Sequence, residues 1–101
     1  MRQKSFVLLD RNGKEQHNVP RENKSDFTLL QEFFNENRYA DQIYFRSYDL
    51  RNLHVKNVVF QGCDFTKAKL QDAVFEQCIF TDAQLENAEF LLCQFEQYEI
   101  I

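Results

Sequence analysis

The chain has 101 residues, 44% of them hydrophobic, and carries twelve Lys or Arg against sixteen Asp or Glu for a formal net charge of −4. That length predicts one domain with a small core, and the acidic balance argues against a dedicated binder of nucleic-acid backbone. No apolar run approaches the roughly 18 residues of a membrane span, and the early run Phe6 to Leu9 is too short for a secretory signal.

In chain order, "KSFVLLD" and "EQHNV" flank Asn12-Gly13 and predict a β-hairpin. Pro20 and the polar run "RENK" predict a loop. "SDFTLLQEFFNEN" then predicts a helix with Ser25 or Asp26 as N-cap and an apolar stripe of Phe27, Leu30, Phe33 and Phe34. The expected role of residues 1–42 is a capping segment over whatever follows.

From residue 43 to 101 a period of five takes over. Stepping by five from Phe45 gives Phe45, Leu50, Val55, Phe60, Phe65, Leu70, Phe75, Phe80, Leu85, Phe90, Phe95 and Ile100, all apolar. Two residues earlier, the same step from Ile43 gives Tyr48, Leu53, Val58, Cys63, Ala68, Ala73, Cys78, Ala83, Ala88, Cys93 and Tyr98, again apolar or small. Side chains two apart on an extended backbone share a side, so each pair points inward with a polar residue between them pointing out. The other two residues of each five turn the chain. The outcome is a coil with short flat sides, stacked on its neighbours at the strand spacing of about 4.8 Å.

The stretches "AKLQD", "AVFEQ", "AQLEN" and "AEFLL" resemble the motif of the pentapeptide-repeat family, and the resemblance extends over residues 43–101. It implies a right-handed quadrilateral β-helix, an all-β solenoid with four pentapeptides per coil and so about three coils, under an N-terminal β-hairpin plus α-helix cap. On that folding Ile43, Tyr48, Leu53 and Val58 fill the small positions of the first coil with bulk, as expected of a coil that widens or is plugged by a cap. Solenoid ends need such departures because a bare end exposes the core. The resemblance further implies a non-enzymatic, bacterial protein-interaction module. Two alternatives come with it: a DNA mimic that binds DNA gyrase and protects it from quinolones, or the repeat region of a larger bacterial effector.

The residues themselves offer little chemistry. Cys63, Cys78 and Cys93 all fall in the small inward register, where a thiol acts as a small hydrophobe rather than a metal ligand. Three cysteines without a CxxC pair suit the reducing cytoplasm. His17 and His54 are expected on the solvated surface, and there is no Gly-rich phosphate loop. No catalytic residue, metal, cofactor, small-molecule substrate, nucleic acid or membrane is therefore expected as a partner.

The outward positions are more informative. From residue 71 to the end the acids Asp72, Glu76, Asp82, Glu86, Glu89, Glu96 and Glu99 occur without a single Lys or Arg, which predicts an acidic far end. Val59, Val74, Ile79, Leu91, Leu92 and Ile101 are apolar where the repeat expects polar residues. Exposed apolar groups of this kind mark contact surfaces. The expectation is a protein partner, or a second copy in a dimer, held through the C-terminal end of the solenoid.

Overall fold

The computed structural model describes residues 4–96, 99 and 100. Strands β1 (Ser5–Leu9) and β2 (Glu15–Pro20) form the antiparallel hairpin, with a bulge between Leu8 and Leu9. Asp10 shapes its turn: Oδ1 accepts from the amides of Asn12 at 2.8 Å and Lys14 at 2.9 Å, and Gly13 takes φ +81°, which glycine adopts without strain. Pro20, expected in a loop, closes β2 opposite Ser5, where a missing N–H costs little.

Helix α1 spans Asp26–Glu36. Ser25 is the N-cap and accepts from the Thr28 amide, while Asn37 closes the far end on the Phe33 carbonyl. Its buried stripe is Leu29, Leu30, Phe33 and Phe34, not the expected set with Phe27, which stays 46% exposed. Leu29 lies beside Leu30 and four residues before Phe33, so it completes the face that Phe27, near the N-cap, leaves.

Beyond the helix come β3 (Tyr39–Asp41), β4 (His54–Lys56), β5 (Val59–Gln61), β6 (Val74–Glu76), β7 (Ile79–Thr81), β8 (Gln94–Glu96) and β9 (Glu99–Ile100). They build two parallel sheets, β3-β5-β7-β9 and β4-β6-β8. Single-residue bridges add two further ladders, Tyr44–Asp64–Gln84 and Asp49–Lys69–Glu89. Every one of these parallel pairings joins residues twenty apart, or four pentapeptides, as in a parallel β-solenoid. The ladder opens at Tyr39, ahead of the start of the period at Ile43, because buried Ala40 lies five residues before Phe45 and keeps the inward register.

The corners recur with the same period. Gln42, Ser47, Asn52, Asn57, Gly62, Lys67, Asp72, Gln77, Asp82, Asn87 and Leu92 all have φ between +53° and +67°. Left-handed backbone favours Gly, Asn and Asp, which fill six of the eleven places. At alternate pairs of corners the residue after it donates back three positions, as Tyr48 does to Phe45 at 3.0 Å and Ala68 to Phe65 at 2.9 Å, which tightens the turn.

Inside, the large register packs as columns of rings. Phe60 stacks on Phe80 at 4.9 Å and 6°, Phe45 on Phe65 at 5.2 Å and 14°, and Phe75 on Phe95 at 5.4 Å and 13°. Neighbouring columns meet edge to face, as Phe60 and Phe65 do at 5.4 Å. The first coil is plugged: Phe34 lies 5.8 Å from Phe45 and 5.7 Å from Phe60, and helix, hairpin and solenoid share one core.

Candidate functional site

The chemistry-bearing side chains serve the fold. Cys63 and Cys78 are fully buried, and their thiols point at the carbonyls of Ala40 (3.2 Å) and Val55 (3.5 Å) of the preceding coil. Burial pushes the Cys63 thiol up to about 12 and half-buried Cys93 up to about 11, far from the range of a reactive thiolate. Among the described residues no group of three or more His, Cys, Asp or Glu is placed to hold a metal ion. None of the described helices is long and apolar enough to cross a membrane.

The two histidines differ. His54 stands on the surface as expected, its Nε2 3.3 Å from Glu76 Oε2, and Lys56 Nζ reaches the same oxygen at 3.5 Å. The His54 hydrogen bond, joined by Lys56, holds the Glu76 carboxyl below its usual range. His17 departs from expectation. It lies half-buried, its ring 4.6 Å from Phe33 and 6.4 Å from Phe6, and desolvation lowers its pKa. The hairpin folds back over the helix, a long-range contact that no local pattern around His17 announces.

Two residues that sequence reasoning passed over do more than any histidine. Asp64 sits at an outward position yet is buried: Oδ1 accepts from the Thr66 amide at 2.9 Å and Oδ2 from Arg46 at 3.1 Å. Burial raises its pKa, but the Thr66 and Arg46 bonds outweigh it, so the carboxyl stays below its usual range. The D-x-T spacing of an Asx turn was the available signal. Gln31 on α1 is the second: its Oε1 accepts from the His54 amide at 2.9 Å and its Nε2 donates to the His54 carbonyl at 2.7 Å. One side chain thus closes the edge of β4, which a neighbouring strand would otherwise have to satisfy.

The apolar outward residues do not converge on one patch. Val59 and Ile79 are paired in register on the β3-β5-β7-β9 sheet, in line with exposed Tyr39. Val74 lies on the other sheet, between His54 and Gln94. Leu91 and Leu92 form the corner leading into β8, at 71% and 70% exposure, with Leu92 at φ +58°. Ile101 lies outside the described residues, as do the side chains of Glu96 and Glu99. Of the remaining acids, Asp72, Asp82, Glu86 and Glu89 are exposed and form no ion pair among the described residues, whereas the cations of the first coil are engaged by Asp49, Asp64 and Glu76. Asp49 is gripped by Arg51 through two bonds of 2.8 Å, which holds its carboxyl down at about 2.

The last described coil is also incompletely covered. Ala83, Leu85, Ala88, Phe90, Cys93 and Phe95 face inward but are only partly buried, unlike their counterparts one coil earlier. No curated protein and no solved structure matches the chain. A family model for pentapeptide repeats matches residues 59–97 with eight copies, the segment where the inward pairs, the left-handed corners and the twenty-residue ladders coincide. Residues 59–97 are thus a run of pentapeptide repeats.

Proposed function

We propose that the protein is a non-enzymatic protein-interaction module whose binding surface is the C-terminal end of the solenoid. The scaffold in this reading is a right-handed, four-sided β-helix of about three coils; the four twenty-residue ladders and the recurring corners support it. The observation that carries the function is the Leu91–Leu92 corner. Two leucines stand more than two-thirds exposed, one of them in left-handed backbone that costs a leucine about 1–2 kcal/mol, beside a partly uncovered core. Placing strain and apolar area on the same exposed corner is unfavourable for folding alone, and contact with a partner supplies the missing benefit.

The test replaces Leu92 with the photoreactive residue p-benzoylphenylalanine in cells of the native host, with Lys14 in the hairpin turn as the control position. Discrete adducts from position 92 and only background from position 14 are expected. Equal yields from both positions would refute the assignment of the surface.

A further inference from the structure

One side of the solenoid differs from the others. On the β3-β5-β7-β9 sheet the outward residues form two rows, Tyr39–Val59–Ile79 and Asp41–Gln61–Thr81, each paired in register. Between Asp41 at the first step and Glu99 after Ile79 these rows carry no charge. The other three sides carry both signs, with Arg46 and Glu86 on one, Lys69 and Glu89 on the next, and Lys56 and Glu76 on the third. Tyr39 is exposed, and Val59, Gln61, Ile79 and Thr81 are only half-buried. Loss of charge around an exposed aromatic residue is the composition of an interface core.

The rim of this face is charged, with a cation at one end and an acid at the other. Arg11 of the hairpin turn and Asp82, at the corner after β7, line one groove along the edge of the sheet with Gln42 and Gly62. Arg11 belongs to the first-coil end, because the nearby Leu9 carbonyl takes the Tyr44 amide at 2.8 Å. Asp82 stands two ladder steps above Gln42, about 10 Å on. Arg11 and Asp82 are exposed, and neither forms an ion pair among the described residues.

These positions complement their own copy. A two-fold axis laid along β5 inverts the order of the coils, so that β5 faces β5 and β3 faces β7. Tyr39 then covers Ile79 of the second copy, and Asp41 meets the hydroxyl of Thr81. Each Arg11 approaches an Asp82, twice per dimer as a two-fold requires. An axis along the solenoid would instead carry Arg11 to the edge held by exposed Arg38, a like charge. We propose that this face pairs with a second copy of the chain, the two solenoids running antiparallel. A three-strand face is smaller than a permanent interface, so the dimer is a weak one. It is separate from the end surface of the proposed function.

The experiment is sedimentation equilibrium of the full chain at low salt, with Arg11→Glu and Asp82→Lys. Lys fits the left-handed corner at 82, since Lys67 holds an equivalent one at φ +60°. The native chain should show a monomer–dimer equilibrium. Each variant alone sets like charges together at both contacts and should dimerise at least about tenfold more weakly. An equimolar mixture of the two variants restores opposite charges at both contacts and should recover the native dimerisation constant. Ile79→Lys should abolish association while unfolding remains cooperative. A native chain that stays monomeric, a dimer that Arg11→Glu and Asp82→Lys leave unchanged, or a mixture no stronger than its components would overturn the proposal. A dimer lost with Leu92→Glu but indifferent to Arg11→Glu would place association at the end surface, overturning this face and leaving the proposed function standing.

Discussion

Replacing Gln31 by Leu removes its two hydrogen bonds to the His54 backbone and one to Asn35. The side-chain amide holds the amide and carbonyl of His54 at 2.9 and 2.7 Å, and its nitrogen also reaches Asn35 Oδ1 at 2.9 Å on the next helical turn. A net intramolecular hydrogen bond contributes about 0.5–1.5 kcal/mol. The two bonds to His54 therefore total about 1–3 kcal/mol, and because they are exposed, water replaces part of that on their loss, leaving about 1–1.5 kcal/mol. Gln and Leu have nearly the same helix propensity, so α1 itself is not weakened. For a domain of this size about 1 kcal/mol lowers Tm by about 4–8 °C. Hydrogen exchange locates the effect. The His54 amide should lose its protection, while the Val74 amide, bonded to the Leu53 carbonyl one coil down at 2.8 Å, should exchange at its former rate. An unchanged Tm together with an unchanged His54 exchange rate would refute the claim that α1 seals the strand edge.

Phe60→Ala should cost about 3–5 kcal/mol in urea unfolding, since the ring is fully buried and meets Phe34, Phe65, Phe75 and Phe80. Leu92→Asn should raise Tm slightly and Asn87→Leu should lower it by a comparable or larger amount, because both positions hold left-handed backbone that asparagine tolerates better. His17 has a folded-state pKa below its ordinary 6.5, so the unfolded chain binds more protons in that window; its contribution is intact above pH 6.5 and is lost as pH falls toward the folded value. His17→Phe should accordingly flatten the fall of Tm between about pH 7 and pH 5 while leaving the steeper loss below about pH 4, where the unfolded chain takes up protons at Asp49 and Asp64 before the folded protein does. With an aromatic thiol reagent at neutral pH, Cys63 and Cys78 should stay unmodified in the native protein and Cys93 should react slowly, whereas all three should react in denaturant.

What the sequence made legible was whatever repeats. Both inward registers are buried along most of their length, and twenty-residue pairing follows from four such units per ladder step. The cap was legible in outline, with its hairpin turn at Gly13 and its N-cap at Ser25, because turn and cap chemistry are local. Apart from the local misplacements of Phe27 and Pro20, the misses are contacts between distant parts. Arg38 breaks the small register and hides that Ala40 already belongs to the ladder; His17 packs its ring on Phe33 of the helix; and buried Asp64 is paired with Arg46, eighteen residues earlier. The candidate surface was legible residue by residue but not as a shape, since Val59 with Ile79, Val74, and Leu91 with Leu92 occupy three different parts of the coil.

Stacking has a consequence for where function can sit. In a solenoid each inward side chain is covered by its neighbours twenty residues before and after, so Phe65 is buried between Phe45 and Leu85, while Leu85 has such a neighbour on one side only among the described residues. Helix α1 makes up this deficit for the first coil through Phe34. On the last described coil these side chains are only partly buried among the described residues, and covering such apolar area yields about 25 cal/mol per Å². The amides of Leu85, Asn87, Phe90 and Leu92, which have no ladder partner among the described residues, border that area. In the proposed reading, a partner that covers these residues gains what packing against a further coil would give. Substitutions at the partly buried Phe90 or Cys93 should for that reason weaken folding less than at their fully buried counterparts Leu70 and Ala73 one coil earlier, as urea unfolding would measure.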